Sequence, residues 1–158
     1  MSELLRVEGL KKYFKTPGGI LHAVDDVTFS VQEGQTLGVV GESGCGKSTL
    51  GRVVLGLLDT TAGKIYFDGE DITAAKGKRR KALRKDMQII FQDPFSSLNP
   101  RFCVSELIAD PLRTYHLCRN REELEKRVYD LMDTVGLARR LAFSYPHELD
   151  GGRRQRIG

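Results

Sequence analysis

Apolar residues in the N-terminal part of the chain come in short bursts, and the spacing inside each burst predicts its element. In "LLRVEGL" (residues 4–10) and "AVDDVTFSV" (residues 23–31) apolar and polar positions roughly alternate, as on a half-buried strand. "TLGVVG" (residues 36–41) is a continuous apolar run, the pattern of a parallel strand buried on both faces. Helical spacing takes over in "GKSTLGRVVLGLL" (residues 46–58), which "DTTAGK" ends. "KIYFDG" (residues 64–69) reads as a strand and "DMQIIFQ" (residues 86–92) as a second buried one. The character then changes. "DPFSSLNP" (residues 93–100) is a loop with two prolines, and helices are predicted near 104–116 and 121–135. The pattern divides the chain into a strand-rich part, residues 1–92, and a helical part, residues 93–158, of one α/β domain.

Composition narrows the class without setting the chemistry. A length of 158 residues, 40% hydrophobic and 29% charged, suits one globular domain with a sizeable core. No apolar run approaches the roughly 18 residues of a membrane span. "MSELLRVEGL" carries an early acid and lacks the apolar stretch of a secretion signal. Cys45, Cys103 and Cys118 are widely spaced, which suits a reducing cytoplasm and offers no metal spacing. A net charge of +4 is compatible with anionic ligands.

The strongest signal is "GESGCGKST" (residues 41–49), a G-x-x-x-x-G-K-[ST] loop set between an apolar run and a helix. Gly41, Gly44 and Gly46 let the backbone turn tightly and approach a ligand closely. The amides of Gly44, Cys45, Gly46, Lys47, Ser48 and Thr49 can then converge on phosphate oxygens, helped by the dipole of the helix they open. In such a loop Lys47 reaches the β- and γ-phosphates, Ser48 ligates Mg²⁺ and Thr49 contacts the α-phosphate. The loop alone leaves small-molecule kinases, GTPases, helicases and transport ATPases open.

Two further stretches narrow that choice. "FQDPFSSLNPR" follows a predicted strand, and "YPHELDGGRRQRIG" closes the helical part with a double glycine. Together with "GESGCGKSTLGR" they resemble the nucleotide-binding subunits of ATP-binding-cassette (ABC) transporters, above all the dipeptide and oligopeptide importer branch. The resemblance covers essentially the whole chain. It implies a P-loop NTPase cassette core with N-terminal antiparallel β strands and a helical subdomain. It also implies a transport ATPase using ATP and Mg²⁺, with Ser43 in the nucleotide loop and Lys47 acting in catalysis. An aromatic residue stacks on adenine in this family; Phe14 is the first choice and Tyr13 the second. Gln92 matches the glutamine that contacts Mg²⁺ and the attacking water. Asp150, Gly151 and Gly152 lie in the signature that faces the ATP of a second cassette, identical or different. Residues 93 to about 119 would face transmembrane permease subunits. That implies a cytoplasmic protein, peripheral on the inner face of the cell membrane, with no nucleic acid partner.

The resemblance has two departures. The signature reads Leu149-Asp150-Gly151-Gly152-Arg153 where the family carries Leu-Ser-Gly-Gly-Gln. An ionised aspartate only accepts hydrogen bonds. Near a phosphate its repulsion is about 4 kcal/mol at ~4 Å and an effective dielectric near 20, before compensation. Arg153 stands within helical reach as a compensating cation, and aspartate is equally a good helix cap; both readings stay open. The second departure is that the family's acidic pair after a further strand, and its later histidine, find no match in these residues. The expectation is a fragment, incomplete at the C-terminus, that binds nucleotide, hydrolyses it poorly and leaves a sheet edge exposed.

"KGKRRKALRK" (residues 76–85) is the densest charge run. It reads as a solvated face, with nucleic acid or anionic lipid as the alternatives. His22, His116 and His147 show no metal spacing. Two other functional classes stay in view: a soluble cassette protein acting on ribosomes or DNA, and a nucleotide-binding regulator that does not hydrolyse.

Overall fold

The computed structural model describes residues 2–91 and 98–157. They fall into two units, Met1–Gln88 and Ile89–Gly158. In the first, β1 (Glu3–Thr16) and β2 (Gly19–Gln32) run antiparallel on either side of a Pro17-Gly18 turn. β3 (Ala62–Phe67) pairs with the other edge of β1, and β4 (Glu70–Asp71) with β3, giving the antiparallel order β2-β1-β3-β4. The apolar positions of β1 do not hold a strict period of two. Val7 and Leu10 are both fully buried although three residues apart. Between them the register shifts, and Gly9 takes a left-handed φ of 53°. This bulge re-phases the strand so that both side chains reach the core. It also presses the Gly9 carbonyl against Gly63, where any Cβ would collide with it.

α1 (Lys47–Val54) places Val53 and Val54 with Val7, Leu10, Ile65, Ile72 and Leu83 in one apolar cluster. It stops at Gly56, whose φ is 65°. The amides of Gly56 and Leu57 donate back to the carbonyls of Val53 and Arg52 at 2.9 and 2.8 Å, satisfying the last turn. α2 (Gly77–Asp86) buries Leu83 and is pinned by Arg80, which donates to the Ala75 carbonyl and to Asp59, both at 2.9 Å.

The second unit is helical. α3 (Val104–Thr114) starts with the Glu106 carboxylate accepting from the Cys103 amide at 3.0 Å. α4 (Arg121–Thr134) is capped by Asn120, whose side-chain oxygen accepts from the Glu123 amide at 2.8 Å. Val104, Ala109, Leu112, Val128, Met132, Leu137, Ala142 and Leu149 form its core. Short 3-10 turns at Arg139–Leu141 and Pro146–Glu148 lead to α5 (Gly151–Gln155).

Strands, turns and helices mostly follow the sequence pattern, but the charge run at residues 76–85, read as a solvated face, forms the helix α2, and two apolar runs differ. The apolar runs at residues 36–41 and 87–91 are not strands, and Asp86 is the last residue of α2. Val40 is 93% and Ile90 85% exposed. A parallel strand is held by ladders to its neighbours. Among the described residues the one sheet is the antiparallel one, and it offers these runs no ladder. Gln92, the end of the second run, lies outside the described residues.

Candidate functional site

The glycine-rich loop is an open turn ahead of α1. Gly46 is the residue before the helix, with φ 98° and no side-chain cap on the helix start. That conformation suits glycine, and a Cβ at Gly46 would run into the Ala23 carbonyl oxygen of β2. Gly41, with φ 158°, would place a Cβ 2.8 Å from the Cys45 sulfur. Gly44 has φ 82° and open space where its side chain would be. Gly41, Ser43, Gly44, Cys45 and Ser48 are exposed; Gly46, Lys47 and Thr49 are half-buried.

Lys47 folds back over this turn. Its ammonium donates to the carbonyls of Gly41 and Glu42 at 2.8 and 2.5 Å and lies 3.6 Å from the Cys45 sulfur. A cation is thus held at the mouth of an uncapped helix start, where the first-turn amides have no intrahelical acceptor. The donor set and the glycine clearances fit a polyphosphate: point charge from Lys47, amides from the first turn of α1, and the exposed Ser48 hydroxyl beside them.

β2 carries the loop's support to the aromatic candidates. Ala23, which touches Gly46, sits between Val24, opposite Lys12, and His22, opposite Tyr13. The Tyr13 and His22 rings stack with centroids 3.9 Å apart. The Tyr13 hydroxyl donates to Asp25 at 2.5 Å, and Lys11 lies 3.6 Å from the same carboxylate. The Tyr13 hydrogen bond, followed by the charge of Lys11, holds the Asp25 carboxyl below its ordinary pKa. The same bond raises the Tyr13 phenol. Phe14 pairs with Leu21, and the Lys12 ammonium stands 5.0 Å from its ring centroid. Composition and motif spacing do not single out His22 and Asp25. The Pro17-Gly18 turn does so for His22, because counting back from Thr16 opposite Gly19 places it across from Tyr13.

The signature belongs to the second unit. Leu149 is buried, and Asp150 is the residue before α5. One Asp150 oxygen accepts from the Arg153 amide at 2.8 Å, and the other lies 3.3 Å from the Arg153 guanidinium. The carboxylate is therefore both helix cap and ion-pair partner. His147 stacks on Tyr145 at 5.7 Å between centroids. Gly151 has nothing within 4 Å of an added Cβ, and Gly152 only the Asp150 oxygen at 3.6 Å. Neither glycine is required by the backbone, since both lie in α5 without a left-handed φ.

A glycine-rich turn with a lysine at the start of a helix, a four-stranded antiparallel sheet and a helical unit ending in a double glycine define a nucleotide-binding cassette. The chain belongs to the ABC transporter family, whose model matches residues 24–158. Among curated proteins it is similar to the oligopeptide transport ATP-binding protein OppF of Bacillus subtilis (strain 168). The two are 46% identical over 157 residues, covering 99% of this chain and 52% of that protein. The OppF of Escherichia coli (strain K12) is 50% identical over 148 residues, covering 94% of this chain and 44% of that protein. The chain thus spans about half the length of these relatives. Among solved structures, a dimeric ATP-binding cassette in a post-hydrolysis state bound to ADP and Pi superimposes with a TM-score of 0.85. It is 27% identical, with 98% of this chain and 66% of that one covered.

Proposed function

We propose that this chain supplies ATP-binding elements of a cassette ATPase that powers import of oligopeptides. The observation that carries the reading is Lys47, whose ammonium is held by two carbonyls at the mouth of the uncapped loop. Exchange of those carbonyls for phosphate oxygens would give the lysine a charge-assisted partner at no cost in refolding. The amides of Gly44 to Thr49 bind and orient the polyphosphate. Tyr13, stacked on His22 beside the loop, or Phe14 receives the adenine ring; a stack of this kind is worth about 1 kcal/mol. Mg²⁺ would be held by the Ser48 hydroxyl, with Gln92 as a second ligand and as the group that positions water. The ion supplies neutralisation of charge developing on the phosphates.

The similarity to a dimeric cassette bound to ADP and Pi supports a second cassette as partner. In that arrangement Asp150, Gly151 and Gly152 face the partner's nucleotide. Transmembrane permease subunits complete the assembly and hold the protein on the inner face of the membrane. The helical unit offers them a groove of about 760 Å³ between α3 and α4, rimmed by Arg113, Arg121, Phe143 and Tyr145. No helix among the described residues is long and apolar enough to cross a membrane itself. Titration of the chain with a fluorescent ATP analogue tests the reading. Saturable binding that weakens roughly a hundredfold in Lys47→Ala is expected; an unchanged affinity would overturn it.

A further inference from the structure

The charge run at residues 76–85 takes no part in the nucleotide site. In the structure it becomes α2, and Leu83 alone of its residues is buried. Arg79 is paired with Glu70, and Arg80 with Asp59. Lys78, Lys81 and Lys85 follow at i, i+3 and i+7, so they form one stripe about 10 Å long on the side of the helix away from Leu83. All three are exposed, and Arg84 flanks them. Among the described residues no carboxylate lies within ion-pair distance of the stripe.

This stripe is unfavourable for the helix that carries it. Like charges at i, i+3 and i, i+4 repel. The first turn holds Lys78, Arg79 and Arg80 and no acid, and no side chain caps it. Cations at a helix N-terminus oppose its dipole. Anchoring by Leu83 and Arg80 holds the helix in place, and the outward face has no internal reason to be all lysine. An apposed anionic surface removes both penalties together.

We propose that α2 is an electrostatic contact for the anionic phospholipid headgroups of a membrane, through Lys78, Lys81 and Lys85. The chemistry favours lipid over nucleic acid. The stripe is lysine, a point charge suited to a diffuse anionic surface, rather than arginine with its bidentate fork. α2 has no aromatic residue on which a base could stack. The choice of a membrane also rests on the proposed function as a transporter subunit.

Flotation of the chain with vesicles tests this, using phosphatidylcholine alone and phosphatidylcholine with phosphatidylglycerol. The chain should float only with the anionic vesicles, and less as salt is raised. K78Q/K81Q/K85Q should weaken that partitioning roughly a hundredfold, whereas K78R/K81R/K85R should retain it. Equal binding to neutral vesicles, no binding to either, or an unchanged triple glutamine variant would overturn the proposal. So would tighter binding to RNA or duplex DNA than to anionic vesicles at the same salt. Binding of the ATP analogue is measured on the same samples and should not change in the glutamine variant. Lost flotation with intact nucleotide binding removes this proposal alone; flotation without nucleotide binding removes the proposed nucleotide site alone.

Discussion

The chain contains two glycine-rich helix starts, one in each unit, and they are built in opposite ways. The start of α1 has no side-chain cap, and its glycines are demanded by the backbone: Gly44 and Gly46 have φ of 82° and 98°. A lysine is folded over it. The start of α5 is filled by the carboxylate of Asp150, and its two glycines occupy ordinary helical positions with open space beside them. A helix gains about 0.5–1 kcal/mol from alanine over glycine. The first set of glycines is therefore explained by folding and the second is not. Under the proposed function, the open space beside Gly151 and Gly152 is clearance for the partner's nucleotide.

That contrast can be broken by substitution. Gly46→Ala should cost about 3 kcal/mol, from the left-handed backbone and the Ala23 carbonyl, seen as a lower urea midpoint at unchanged slope. Gly152→Ala should be neutral or slightly stabilising in the same assay; a large loss there would make the two starts alike. Lys47→Ala should weaken the ATP analogue by roughly a hundredfold. Asp150→Ala should leave that affinity unchanged in the isolated chain and cost about 1 kcal/mol of stability as a lost cap. Asp150→Ser keeps a cap and removes the charge. In an assembled transporter it should raise ATP turnover, and an equal or lower rate would leave Asp150 as a cap only.

A pH titration sharpens the comparison at the smallest scale. Glu106 closes the start of α3 in the opposite sense to Asp150, reaching back from inside the helix to the Cys103 amide; that bond, then the Cys103 side chain, holds its carboxyl below the ordinary value. Asp59 and Asp133 are lowered likewise by hydrogen bonds from Arg80 and Arg139. A folded-state pKa below the unfolded one gives stability that is present above the unfolded value and lost as pH falls through the folded one. Stability should therefore be level at neutral pH and decline below about pH 4. Glu106→Gln should flatten part of that decline.

Most of the architecture was legible in the sequence because it is local. Alternation locates β1 and β2, and helical spacing locates α4. The loop from Gly41 to Thr49 was legible because its spacing is itself the geometry. Two things were not. The runs at residues 36–41 and 87–91 carry the composition of buried strands, but a ladder needs a neighbour, and a segment's own composition does not say whether one is present. The Tyr13–His22–Asp25 cluster depends on cross-strand register, set by the turn at Pro17-Gly18 and altered by irregularities along β1. Asp150 shows the reverse case. The cap expected from sequence is present, and the Arg153 ion pair is present with it.

In the proposed function, nucleotide binds at the start of α1, with Lys47 across it. Cys45 sits inside that loop and is exposed, while Cys103 is buried and Cys118 half-buried. The most direct test is the rate of Cys45 alkylation with and without ATP, read by mass spectrometry of the labelled peptide. ATP should slow Cys45 labelling by at least about tenfold while leaving Cys118 unaffected. Equal rates at Cys45 would contradict it.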